Sequence, residues 1–174
     1  MKPKTCFNIL KEENEKNKLA NTVYLFTDGS VNNTTKIGVG GYLICSEISN
    51  NLLESDVVLK TFQNTSSTKL ELQTFLWAIR QVNHERKNVI AFSDSQNLIS
   101  LIDRKEKLIK NNFKSSTGKL LNNAELYQEF YNITKGLNIE FVKLKGHSKM
   151  EFKSDFDKVF KLVDKTTRRA LRTL

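Results

Sequence analysis

Proline is almost absent from this chain. The one residue of that type is Pro3, so no interior element is broken by a missing backbone donor. Boundaries must be read from periodicity and turn residues. Cysteine is scarce too: Cys6 lies near the start and Cys45 inside an expected strand, which argues against a disulfide framework and points to a reducing compartment. No apolar run nears the ~20 residues a helix needs to cross a bilayer, so no membrane segment is expected. The opening "MKPKTCFNILKEENEKNKLANT" lacks the apolar centre and small-residue cleavage site of a secretory signal, and a cytoplasmic protein is the expectation. Acids are outnumbered, 19 Asp+Glu against 28 Lys+Arg, for a formal charge of +9. Such a surface gains affinity for polyanions by releasing their counterions, although charge alone does not separate a nucleic-acid binder from a soluble basic protein.

What the chain does have is 174 residues, enough for one domain with a substantial core. Val23 to Thr27 reads as a strand, Gly40 to Ser46 as a second and Asp56 to Phe62 as a third, joined by short Gly- or Asn-rich turns in an antiparallel meander. The segment "SSTKLELQTFLWAIRQV" places Leu72, Leu76, Ile79, Phe75 and Val82 at helical spacing. Ser66, Ser67 or Thr68 is available as its N-cap, and Glu71 falls in or near its first turn. "NVIAFS" (Asn88 to Ser93) is a continuously apolar strand of the kind buried on both faces. A helix from about Ser95 to Lys110 follows, then one opening near Asn122 or Asn123 and closing at Gly136, a fifth strand from Ile139 to Lys145, and a last helix within Ser154 to Leu174. The order β-β-β-α-β-α-α-β-α predicts an α/β fold in which strands one, four and five are parallel and two and three run antiparallel at one edge. Residues 1–21 are set apart as an N-terminal extension and 22–174 as the domain.

Asp28 is expected to end the first strand and Asp94 the fourth. Parallel neighbours share a C-terminal edge, so these carboxylates should be close. Glu71 on the helix over the sheet, and Asp164 on the last helix with Arg168 one turn on, come from two further segments. Taken singly, an Asp at a strand end is a turn residue and an acid in a first turn complements the helix dipole. Two strand-end aspartates on one edge are different, because like charges at close range oppose folding unless a cation lies between them. Oxygen donors with no Cys or His cluster suit a hard ion such as Mg²⁺ or Mn²⁺ and argue against zinc.

The runs "FTDGS", "GVGGYLI", "TKLEL", "FSDSQ", "VKLKGHS" and "VDKTTRRAL", in that order over residues 22 to 174, resemble type 1 ribonuclease H. The resemblance implies the ribonuclease H-like fold, a mixed five-stranded sheet flanked by helices. It also implies endonucleolytic cleavage of the RNA strand of RNA·DNA hybrids, leaving 5′-phosphate products. Asp28, Glu71, Asp94 and Asp164 match the family's metal-binding acids, holding two Mg²⁺ ions or Mn²⁺, and His147 matches its mobile histidine beside the scissile phosphate. The fourth acid departs from the bacterial pattern, since Asp155 and Asp157 lie nearer the expected distance from His147. The local text "DKTTRRA" favours Asp164. Ser67, Thr68, Gln96 and the backbone at Gly29 and Ser30 match positions that contact 2′-hydroxyls; for Ser67 and Thr68 a capping role is an equal reading. Lys105, Lys107 and Lys110, with Arg104, Lys114 and Lys119 around them, sit where some members grip the DNA strand, although a charge run is commonly a solvated helix face. His84 and Trp77 are read as structural. A monomer is expected. Two other readings are a binding relative with weak turnover and a nuclease of the same fold acting on DNA.

Overall fold

The alternation in "TVYLF" sends Val23 and Leu25 to one side of a strand and Tyr24 and Phe26 to the other, and a sheet with both faces covered results. The computed structural model describes residues 21–49, 51–82, 88–144 and 155–174. Its strands are β1 (Thr22–Asn32), β2 (Ile37–Cys45), β3 (Val58–Phe62), β4 (Asn88–Ser93) and β5 (Asn138–Lys143), in the order β3-β2-β1-β4-β5. β1 pairs antiparallel with β2 and parallel with β4, β2 pairs antiparallel with β3, and β4 pairs parallel with β5. This is the mixed five-stranded sheet that the element order predicts. The helices are α1 (Ser67–Ile79), α2 (Gln96–Ile99), α3 (Leu101–Lys110), α4 (Ala124–Thr134) and α5 (Asp155–Leu171).

Leu25, Leu72, Phe75, Ile79, Leu101 and Phe130 form the core on the α1 and α4 side, each without exposed surface. Phe26, Leu43, Phe92, Phe160 and Val163 form the second core, beneath α5. The flat stack of Phe26 on Phe92, 4.6 Å between centroids, bonds the two central strands on that face. Burying side chains of this size contributes about 1.5–3 kcal/mol apiece. Trp77 is half-buried and packs edge-on to Tyr42 at 4.7 Å, in keeping with a structural role.

Two elements depart most from the sequence expectation. β1 runs five residues beyond Thr27 because β2 keeps pairing with it as far as Asn32 opposite Ile37. The hairpin then closes where Asn32 Oδ1 accepts from the amides of Thr34 and Thr35 and Lys36 takes φ 57°. The single helix expected from Ser95 to Lys110 is two helices meeting at Ser100, whose ψ of −6° opens the turn. Arg104 compensates by donating to the carbonyls of Asn97 and Ser100 and to Asn97 Oδ1. In α5 the buried residues are Val159, Phe160, Val163, Thr166 and Thr167, so its inner face turns from apolar side chains to threonine toward the C-terminal half.

Glycine determines how closely α1 approaches the sheet. A Cβ on Gly40 would lie 2.1 Å from Thr74 Oγ1 and 3.0 Å from Phe62 Cε2, while one on Gly136 would meet nothing. Gly40→Ala should therefore cost about 2–3 kcal/mol and lower Tm by roughly 5–10 °C. Gly136→Ala should change Tm little. Thermal unfolding followed by circular dichroism checks this; equal midpoints for the two variants would refute the close-approach account.

Candidate active site

The geometry follows from where pairing stops. β4 leaves β1 after Phe26 opposite Phe92, yet β1 continues, so Asp28 lies in mid-strand opposite Gly41 of β2. The expectation that Asp28 ends β1 is thus corrected: it lies past the end of the parallel pair, and the antiparallel partner carries the strand onward. Gly29 keeps negative φ, and its lack of a side chain serves helix packing, since a Cβ there would lie 2.8 Å from Leu70 Cδ2. Asp94 does follow β4 directly, as expected, and is exposed.

Glu71 sits in the second turn of α1, because Ser66 is the N-cap and accepts from the amide of Lys69; the first turn holds no acid. Ser95 Oγ donates to Glu71 Oε2 and also accepts the amide of Leu98 at 3.2 Å, so one buried hydroxyl caps α2 and orients a carboxylate from α1. Asp164 is in the middle of α5, and Arg168 Nε donates to its Oδ1 at 2.5 Å.

All four acids line one open cavity of about 440 Å³, together with Gly29, Ser30 and Ser67. Asp28 is pushed up to about 7, first by burial, then by the charge of Asp94, with Asp164 adding through its charge and a hydrogen bond between the carboxyls; the Gly29 amide opposes the shift. Glu71 is raised as well, by burial first and then by Asp94, against the Ser95 hydrogen bond. These shifts link the carboxylates in one field of unbalanced negative charge. A hard divalent cation is the group this donor set suits, all oxygen and all anionic. Among the described residues no three acidic, His or Cys side chains already close on one ligand point. The acids form a wall instead, with Glu71 held by Ser95 and Asp164 by Arg168.

Thr68 and Gln96 stand outside the cavity lining; Gln96 Oε1 instead accepts from Lys143 Nζ at 2.5 Å. The lysine run divides. Lys107 lines a separate groove of about 670 Å³ with Arg104 and Lys114, Lys105 lies 5.9 Å over the Tyr131 ring, and Lys110 is exposed outside that groove's lining. His147, His84 and Cys6 lie outside the described residues.

Residues the sequence reading passed over also line the cavity: Val31, Asn33, Leu171 and Arg172. The signal for Arg172 was present, since Asp164, Arg168 and Arg172 recur every four residues on one helix face. Asn33 and Val31 had none, because they enter only through the strand extension.

A mixed sheet with a parallel centre, whose end gathers carboxylates from β1, α1, the β4 to α2 connection and α5, defines an α/β protein with an acid-lined site. The chain belongs to the RNase H family, whose model matches residues 20–170. It is 30% identical over 129 residues to the Ribonuclease H of Caldicellulosiruptor saccharolyticus, covering 72% of this chain and 84% of that protein. To the Ribonuclease H of Clostridium botulinum strain Hall it is 28% identical over 140 residues, 79% of this chain and 91% of the relative. The Ribonuclease H of Orientia tsutsugamushi is 28% identical over 128 residues, 72% of each chain.

Proposed function

We propose that this protein is a divalent-metal-dependent ribonuclease H that cuts the RNA strand of RNA·DNA hybrids internally, leaving 5′-phosphate products. The observation that carries the reading is the convergence of Asp28, Glu71, Asp94 and Asp164 on one cavity in a chain of net charge +9. An acidic site on a basic protein repels a phosphodiester unless cations intervene, and a basic periphery draws the duplex in. In this reading the four acids hold two Mg²⁺ ions, with Mn²⁺ as a substitute. Such a pair, when bound, supplies Lewis acidity at the attacking water and at the leaving 3′ oxygen.

The chain's own residues then orient and exclude. Ser95 fixes the Glu71 carboxylate, and Arg168 holds Asp164 while adding a positive charge beside the phosphate path. Ser67, Ser30 and the Gly29 backbone line the wall from which 2′-hydroxyls would be read, with Thr68 and Gln96 as neighbouring readers outside it. Lys107, with Lys105 and Lys110 on the same helix, is assigned to DNA-strand phosphates, and His147 to proton transfer or product release. Cytoplasmic action as a monomer belongs to the same reading.

The test is cleavage of matched RNA·DNA, dsRNA, ssRNA and dsDNA in Mg²⁺, Mn²⁺ or EDTA. The hybrid alone should be cut, in its RNA strand, with no product in EDTA and none from Asp94→Asn. Activity surviving EDTA would refute the metal reading, and preferential dsDNA cleavage would reassign the substrate.

A further inference from the structure

α5 carries two adjacent buried threonines with different partners. Thr166 Oγ1 donates to the Leu162 carbonyl at 2.7 Å, the back-bond a helical threonine ordinarily makes. Thr167 donates to the Asp164 carbonyl at 2.9 Å, but the same hydroxyl also reaches Asp28 Oδ2 at 3.4 Å, across 139 positions of sequence. Its side chain is 0% exposed. Its methyl is fixed as well: a Cβ on Gly41 would lie 2.6 Å from Thr167 Cγ2, and Gly41 is the residue opposite Asp28 in the β1 and β2 register. With its methyl packed against Gly41, the side chain places Oγ1 within reach of the Asp28 carboxylate.

We propose that Thr167 is a positioning residue for the acidic site. Its hydroxyl shares its one proton between the Asp164 carbonyl and Oδ2 of Asp28, tying the two acids of the wall to each other. The inference rests on the metal-dependent reading above. The chemistry favours a neutral donor here: an ammonium or guanidinium at Asp28 would compete with a cation, whereas a hydroxyl orients the carboxylate without neutralising it. Among the described residues Asp28 meets the Gly29 amide and the Thr167 hydroxyl, beside its hydrogen bond with the Asp164 carboxyl, whereas Asp164 takes the Arg168 guanidinium.

Three variants separate hydroxyl from methyl: Thr167→Val keeps the shape, Thr167→Ser keeps the hydroxyl, and Thr167→Ala keeps neither. Mg²⁺ is titrated calorimetrically into the full chain without nucleic acid, and hybrid cleavage is followed against Mg²⁺ concentration. Thr167→Val should bind Mg²⁺ about 10-fold more weakly and need correspondingly more for half-maximal cleavage, with hybrid KM unchanged at saturating Mg²⁺. Thr167→Ser should stay near wild type and Thr167→Ala should match Thr167→Val. Wild-type Mg²⁺ affinity in Thr167→Val, or a Thr167→Ser as weak as Thr167→Ala, overturns the proposal. If Thr167→Val does not fold, the Ser and Ala pair decides. Asp28→Asn is the control: loss of Mg²⁺ binding there with none in Thr167→Val defeats this inference alone, and unchanged binding in Asp28→Asn defeats the metal reading with it.

Discussion

Asp164→Asn lowers hybrid cleavage by about 10³-fold or more, and Asp157→Asn leaves most of it. The two acids sit two turns apart on α5, about 10 Å along the helix axis, so one ion pair cannot use both. Asp164 lines the cavity with Asp28 and shares a hydrogen bond with it, whereas Asp157 is outside that lining. Carboxylates that hold one ion pair act as a unit, which is why deleting one removes nearly the whole effect. Single-turnover cleavage at saturating Mg²⁺ is the measurement. A silent Asp164→Asn beside an inactive Asp157→Asn would move the site two turns along α5.

The second large effect is a gain in stability from losing an acid. Asp28→Asn should abolish cleavage, yet make the metal-free protein more stable above neutrality by as much as about 3–4 kcal/mol. The sign follows from proton counting. The unfolded chain releases the Asp28 proton near 3.8, while the fold retains it up to about 7. Between those values the folded state binds more protons, so wild-type stability falls as pH rises through that window and the penalty is complete above it. Asn carries no charge to desolvate and still accepts from Thr167. Chemical denaturation in EDTA at pH 4 and pH 8 measures the slope, and Mg²⁺ at pH 8 should raise the wild-type midpoint far more than that of Asp28→Asn. An identical pH slope in the two proteins would show that Asp28 is not buried against its neighbours.

These effects divide according to what a linear pattern can carry. The apolar run of β4 and the α1 periodicity were enough to predict the order of elements and the strand directions, because each records burial on a fixed period. Asp28 and Asp94 were legible as a pair because parallel strands bring their ends to one sheet edge, and Glu71 and Asp164, each ordinary on its own helix, joined them through the resemblance to ribonuclease H. Their surroundings were not legible. Ser95 was expected at the start of a helix and caps it, but only the packing of α1 beside α2 turns its hydroxyl onto Glu71. Glu71 itself moved to the second turn, since three candidate caps stand in a row and the choice of Ser66 depends on how the chain leaves β3.

The strand extension is the clearest case. "TDGS" reads locally as a turn, with an Asx residue, a glycine and a serine in succession, and nothing within those four residues argues otherwise. Nine cross-strand pairs between β1 and β2 override that preference, and Gly29, chosen for the approach of Leu70, stays extended. The sequence by itself determined the α/β class, the strand directions and which acids fall at strand ends, because periodicity and charge are local quantities. Only the tertiary structure decided that β1 outruns its parallel partner, that α5 delivers Asp164 and Thr167 to Asp28, and that Gly41 leaves room for the contact. Those are distances between residues up to 139 positions apart, and such distances are created by packing.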